Sequence, residues 1–258
     1  MTVKELYDYL DAQIPRALSC AWDNDGLMCC SEPERQVRRG LLTLDVTDEA
    51  ISAAIERGCD VILSHHPLIF RGLGHVVTED AVGGRVIRLL REGIAAMSFH
   101  TRLDALTGGV NDKLAARLGL TGTVPFGEAD PVPMGRVGVL ADGGRMDIAD
   151  FARLVREALG ADGVKYAGCG KEVHRVAVLG GSGADFVAAA VAAGADTFVT
   201  GELKYHQLSD AVGLGINLVE AGHFETEAPV LPVFETLLGK WDSAVEVSYF
   251  DCNKIHLI

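Results

Sequence analysis

The stretch ISAAIERGCDVILSH, residues 51–65, decides how this chain folds. Within TDEAISAAIERG the pattern is that of a helix, with acids in its first turn and Gly58 at the C′ position. CDVIL follows as a strand, and the apolar run stops at Ser64 before His65, His66 and Pro67. Short β-rich and helical runs alternate outward in both directions, which argues for α/β architecture with largely parallel strands. GLLTLDV (40–46) is a strand ahead of the helix. Beyond the histidines come a helix around AVGGRVIRLLREG, strand IAAMSF (94–99), a polar loop HTRLDALTGGVND and helix KLAARLGL.

The Pro- and Gly-rich segment TGTVPFGEADPVPMG (121–135) reads as a connection, dividing the chain into lobes at 1–125 and 126–258. The second lobe gives strand RVGVLA, helix DIADFARLVREALG, the extended piece GVKYAG, strand RVAVLGGSG, helix ADFVAAAVAAG and strand ADTFVTG. Helix LKYHQLSDAVGLG, strand INLVEAGH, a helix over 227–239 and strand VEVSYF complete it, its last part packing back on the first lobe. The lobes look like a diverged repeat. ISAAIERGCDVILSH resembles FVAAAVAAGADTFVTG, with Gly58-Cys59-Asp60 matching Gly194-Ala195-Asp196. In each lobe a strand ends in a histidine with a carboxylate four residues on, His100…Asp104 and His223…Glu227. The expectation is a pseudo-twofold pair of α/β lobes facing a shared cleft, where ligands sit beyond the carboxyl ends of strands.

Composition narrows the function. The chain has 258 residues, 48% apolar and 23% charged, with a formal net charge of −13. A phosphate backbone is repelled by that charge, and no Lys/Arg run offsets it, so nucleic-acid binding is disfavoured. No apolar run reaches the ~18–20 residues of a membrane span. MTVKELYDYLDAQIP is an amphipathic helix with a Thr2/Glu5 capping box, not a signal peptide. Six cysteines without a C-x-x-C pair read as reduced packing thiols of a cytoplasmic protein.

His65, His66, Asp104, His223 and Glu227 form an imidazole and carboxylate donor set suited to Zn, Mn, Fe, Co or Ni. Five protein ligands exceed what one open catalytic zinc takes and suit two metals ~3.5–4 Å apart. Neighbouring side chains on extended backbone diverge, so His65 and His66 are expected to serve different ions. His100 could act as general acid or base, or orient Asp104. Glu202, Lys204 and His206 in TGELKYH either bind substrate or form a salt-bridged helix start. GGSG (180–183) is a tight strand-to-helix turn before it is a phosphate site. Trp22, Asp23 and Asn24 could line the cleft rim, or serve as an anchor and helix caps. His75, His174 and His256 read as hydrogen-bonded loop residues.

WDNDGL (22–27), TLDVTDEA, SHHPLIF, FHTRLDALTGGVND, MGRVGVL, GGSG, TGELKYHQ and AGHFETE occur in this order. Together they resemble the NIF3-like (YbgI/DUF34) family, also labelled GTP cyclohydrolase 1 type 2 homologues, almost end to end. The resemblance implies two similar α/β lobes, a dinuclear metal centre between them, a toroidal homohexamer, and the same five residues as ligands. On that basis His66, Asp104 and Glu227 are assigned to one ion and His65, His223 and Glu227 to the other, with Glu227 bridging. Arg102 stands where the family usually has Asn, so a cationic group is expected to reach the cleft and bind substrate. Thr107 replaces a frequent Pro, and the ending DCNKIHLI departs from an aromatic-rich tail. The extra domain that longer members insert between the lobes is expected to be absent. The implied activity is a metal-dependent hydrolase in which a metal-bridging hydroxide attacks a nucleotide or other small phosphorylated substrate. The family label points to opening of the guanine imidazole ring of GTP. The alternative is a non-catalytic metal-binding scaffold or interaction protein.

Overall fold

The computed structural model describes residues 1–129 and 132–257. Asp130 and Pro131 of the 121–135 segment, and the last residue of DCNKIHLI, lie outside the described residues. In chain order the first elements are α1 (Val3–Gln13), β1 (Gly26–Cys29), β2 (Arg39–Thr43), α2 (Asp48–Glu56), β3 (Val61–Ser64), α3 (Ala81–Glu92), β4 (Ala95–Ser98) and α4 (Thr101–Ala105). Then come α5 (Val110–Arg117), β5 (Leu120–Ala129), β6 (Val132–Leu140), α6 (Ile148–Leu159), β7 (Lys165–Ala167), β8 (Arg175–Leu179), α7 (Val187–Ala192) and β9 (Thr197–Thr200). The chain finishes with α8 (Tyr205–Leu214), β10 (Asn217–Glu220), α9 (His223–Glu227), α10 (Leu231–Trp241) and β11 (Glu246–Tyr249).

These elements form two compact units. Unit 1 takes Met1–Leu103 and Leu231–Lys254, and unit 2 takes Asp104–Val230 and Ile255–Ile258. The division expected at 125/126 is therefore corrected to one after Leu103. The 121–135 segment is no connection between lobes, because it belongs to β5 and β6. These strands pair antiparallel from Leu120↔Leu140 to Ala129↔Val132, a ladder that holds the segment inside unit 2. Its prolines are tolerated for a positional reason. β5 is an edge strand, and β6 pairs with β8 only over Arg136–Val139, which leaves Pro133 beyond that ladder.

Unit 1 carries a five-stranded sheet in the order β1-β4-β3-β2-β11, parallel except for β1 against β4. Leu41, Ile62 and Ala96 of its central strands are fully buried against Ile51 and Leu89 from helices α2 and α3. Unit 2 carries a six-stranded sheet, β5-β6-β8-β9-β10-β7, in which β8, β9 and β10 are parallel. Val176, Val178, Val199 and Val219 pack there with Phe151 and Val155 of α6. β-branched residues on both faces of short strands are what buried parallel sheets need.

The repeat is real at the level of individual hydrogen bonds. Asp60 accepts from the Arg38 and Arg39 amides, and Asp196 from those of His174 and Arg175, at separations of 22 and 21 residues in both units. Gly58 and Gly194 both take positive φ (61° and 78°) between helix and strand. Such a turn demands glycine because a Cβ there meets the following carbonyl oxygen. The Phe99 amide donates to Ser64 O in one unit, and the Ala221 amide to Thr200 O in the other.

Three local expectations change. HTRLDALTGGVND holds α4 and the start of α5 instead of a polar loop, HFETE is the helix α9, and the last helix is α10 at Leu231–Trp241. Thr2 and Glu5 form the expected capping box. All six cysteines are free thiols, and burial pushes Cys29 up to about 11. Among the described residues, no helix is long and apolar enough to cross a membrane.

Candidate metal centre

The histidine pair sits one step past the strand. β3 ends at Ser64, so strict alternation of side chains no longer applies to His65 and His66. The bend is fixed by Ser64, whose hydroxyl donates to His66 O at 2.8 Å, and by the His66 amide, which donates to Leu44 O at 2.9 Å. The two rings lie 5.0 Å apart, and His100 stands 5.4 and 5.6 Å from them. Donor atoms of these three imidazoles all fall within 4.8 Å of one another.

Each imidazole is oriented through Nδ1. Fully buried His65 donates from Nδ1 to the Phe99 carbonyl at 3.1 Å; a carbonyl only accepts, so the neutral ring keeps its lone pair on Nε2. His66 Nδ1 lies 2.8 Å from Asp45 Oδ1, and His100 Nδ1 2.9 Å from Asp23 Oδ1. In unit 2, His223 Nδ1 lies 3.0 Å from Glu202 Oε1. A carbonyl or carboxylate behind Nδ1 is the usual support of a metal-ligating histidine. Asp23 also accepts from the Thr101 amide and hydroxyl, which caps α4. Burial pushes its carboxyl up, but the hydrogen bond and charge of His100, joined by Thr101, outweigh that and hold it at about 2.

Unit 2 supplies Asp104, His223 and Glu227. In α9, His223 and Glu227 are four residues apart and share a helix face, with Nε2 and Oε2 separated by 3.1 Å. Two donors bound ~2.0–2.2 Å from one ion stand about 3.0–3.5 Å apart, so this pair has the edge length of a coordination polyhedron. The carboxylate is buried against the GGSG turn. A Cβ at Gly181, whose φ is +66°, would overlap Glu227 Oε1 and lie 3.1 Å from His223 Nε2. A Cβ at Gly180 would lie 3.1 Å from Glu227 Cγ. Buried Asn111 ties the same parts together: its Oδ1 accepts from the Gly180 amide at 2.8 Å, and its Nδ2 donates to Asp104 O at 3.2 Å. Arg136 closes the end of α4 by donating to Ala105 O and Leu106 O.

Other expected site residues fall elsewhere. Arg102 does not reach a surface where substrate could bind. Its side chain is fully buried, paired with Asp11 at 2.7 Å and Asp25 at 3.0 Å, donating to Ile14 O and stacked over Phe99 at 4.6 Å. Glu202 supports His223. Lys204 begins α8, its amide accepted by Gln207 Oε1 at 2.7 Å, and with Glu202 it lines a cavity of ≈ 420 Å³. His206 is exposed on α8. His174 Nδ1 is bonded to Gly144 O, and His256 pairs with Asp162; His75 is exposed beside a cavity. Asp23 serves as cap and as orienter of His100, while Trp22 is 63% exposed.

Sequence reasoning passed over Asp45 and Asn111, and read Gly181 only as part of a tight turn. Asp45 follows a strand of the same kind as the one that carries the histidines, and paired glycines at a strand end announce a close backbone approach; both signals were present.

The model of Duf34/NIF3 (NGG1p interacting factor 3) matches residues 1–254. The chain belongs to this family. A Clostridium perfringens relative named GTP cyclohydrolase 1 type 2 homolog is 35% identical over 95% of each chain. One of the same name from Streptomyces coelicolor is 32% identical over 95% of this chain and 90% of its own. Among solved structures, a hypothetical protein from Staphylococcus aureus superposes with a TM-score of 0.89 at 26% identity, covering 100% of this chain and 99% of its own. The reduced HcgD of Methanocaldococcus jannaschii gives 0.83 at 26%, covering 96% and 97%. The NIF3 relationship therefore holds in sequence and in fold, and the mixed α/β architecture with two sheets is that of the family.

Proposed function

We propose that this NIF3-family protein is a dinuclear divalent-metal-dependent hydrolase acting on a nucleotide or related small phosphorylated substrate. The observation that carries the reading is the orientation of the histidines: four imidazoles, each supported at Nδ1 by a carbonyl or carboxylate, with His223 Nε2 at coordination-edge distance from Glu227. His65 and His66 from unit 1 would join Asp104, His223 and Glu227 from unit 2, Glu227 serving both ions. Two divalent ions, when bound, supply Lewis acidity and a water acidic enough to ionise near neutral pH. Around them the chain's own residues have distinct tasks. Asp45 and Glu202 hold the rings of His66 and His223. Gly181 leaves space for the Glu227 carboxylate. His100, anchored by ionised Asp23, is the side chain placed to take up and return a proton through Nε2. The names of the relatives support a nucleotide substrate, and assembly as a homohexamer belongs to the same proposal.

A second reading rests on unit 1 alone, where His65, His66 and His100 are close enough to hold a single ion. The deciding experiment combines metal analysis with a substrate screen. The parent is expected to carry two ions per chain and to hydrolyse GTP or one of a panel of phosphoesters. His66→Ala and Glu227→Ala should lose both properties. His100→Ala should keep both ions while turnover falls; loss of the only ion would favour the single-ion site. A metal-loaded parent that turns over nothing overturns the hydrolase and leaves a metal-binding scaffold.

A further inference from the structure

Two large aromatic side chains stand exposed in unit 1 beside the histidines, and the metal chemistry does not use them. Trp22 is 63% and Phe70 47% exposed. Their ring centroids are 6.1 Å apart at 70°, and each lies 6.1 Å from His100, at 75° and 84°. The three rings thus meet edge to face, which leaves aromatic faces turned away from one another. Leaving that much ring surface in water forgoes burial energy of about 25 cal/mol per Å², and such surface next to a functional group marks a binding site more than a packing accident.

The pair is also held in place. Trp22 is followed by Asp23, which is anchored to His100 and Thr101, and by Asn24, whose Nδ2 donates to the carbonyl of Ile69, the residue before Phe70. Both aromatic residues are therefore fixed by neighbours one or two positions away, so little ordering remains to be done when a ligand arrives. Phe70 in turn lines a cavity of ≈ 380 Å³ whose walls include Leu68, Leu73 and Val82, with Arg71, His75 and Asp80 as polar groups. That volume and a mostly apolar lining with few polar groups match sites for small organic ligands.

We infer that Trp22 and Phe70 form an aromatic platform, on whose outward face the planar heteroaromatic ring of the substrate stacks, next to His100 and continuous with the Phe70 cavity. The inference builds on the hydrolase reading by assigning the ring-binding part of its substrate site. Binding does not need the metal, which allows the two ideas to be tested apart.

The experiment is a fluorescence titration of the full chain in a Trp241→Phe background, where Trp22 is the sole tryptophan, metal-loaded and after chelator treatment. Probes are guanosine, uridine and, as a ring-free control, ribose 5-phosphate. Saturable quenching by a nucleoside, absent with ribose 5-phosphate, is expected in both metal states. Phe70→Ala and Phe70→Leu should weaken it roughly five- to a hundredfold, as loss of one stacking partner does. The leucine variant retains apolar bulk, so equal weakening in both isolates stacking from folding. Lack of saturable quenching, equal quenching by ribose 5-phosphate, or Phe70 variants that bind like the parent overturn the platform. So does Trp22 emission that shifts with protein concentration, which would place the ring against a second copy. Failure of metal loading with ring binding intact sinks the dinuclear reading alone.

Discussion

Replacing Gly181 by alanine tests whether the GGSG turn belongs to the metal site. The substitution adds one methyl group at a residue with φ +66°, and that methyl overlaps Glu227 Oε1 while lying 3.1 Å from both Glu227 Cδ and His223 Nε2. Two costs follow. The left-handed backbone costs a non-glycine residue roughly 1–2 kcal/mol, a shift of about 2–8 °C in Tm for a chain of this size. The overlap is separate: carbon and oxygen settle near 3.5 Å, so the carboxylate has to retreat by roughly an ångström. Removing the support of a ligand typically costs 10- to 100-fold in metal affinity, and here the ligand itself moves. Gly160 provides the control. It has φ +69° in the same unit, at the end of α6, and nothing lies within 4 Å of an added Cβ. Gly160→Ala should lose the same few degrees of Tm and keep its metal. Gly181→Ala should lose at least that much stability, the overlap adding to the backbone cost, and at least tenfold in metal affinity, measured by competition with a chromophoric chelator. Equal metal affinity in the two variants would refute the argument.

Three other substitutions separate roles within unit 1. Asp45→Asn weakens the anchor behind His66 and should lower metal affinity about 10- to 100-fold with little change in Tm; unchanged binding in chelator competition would count against the orienting role. Asp23 is held at about 2, below its unfolded value, so its stabilisation is complete above about pH 5 and fades as pH falls toward 2. Asp23→Asn should therefore lose about 2 kcal/mol at neutral pH and show a flatter stability profile through the acid range, read by urea unfolding at successive pH values. A profile parallel to the parent's would contradict it. Arg102→Met leaves the buried Asp25 carboxylate, which burial already pushes up, without its guanidinium. A loss of about 3–5 kcal/mol is expected, with metal content per folded molecule unchanged; reduced metal with normal stability would return Arg102 to the site.

Much of this was legible in the sequence because parallel strands and their helices repeat a strong pattern. The Gly-x-Asp turns at 58–60 and 194–196 were visible as letters, and they proved to be the same hydrogen-bonded device. The one-turn helices α4 and α9 escaped, since five residues are too few to show a 3.6-residue period. Yet the helix is what puts His223 and Glu227 on one face, so the H-x-x-x-E spacing already carried the geometry. The β5–β6 hairpin was hidden by prolines and glycines that usually mean loop. Gly135 is there because a side chain would collide with the Phe126 ring across the ladder. Arg102 misled for another reason: its partners Asp11 and Asp25 lie far along the chain, and burial of a charge cannot be seen without them. The reasoning that His65 and His66 must diverge assumed extended backbone, but the strand ends at Ser64.

In the proposed centre, His65, His66, Asp104, His223 and Glu227 hold two ions with Glu227 shared. Anomalous diffraction on metal-loaded crystals, collected on both sides of the metal's absorption edge, addresses it directly. Two peaks about 3.5–4 Å apart are expected, both within bonding distance of the Glu227 carboxylate. A single peak ligated by His65, His66 and His100, with Glu227 uncoordinated, would contradict it.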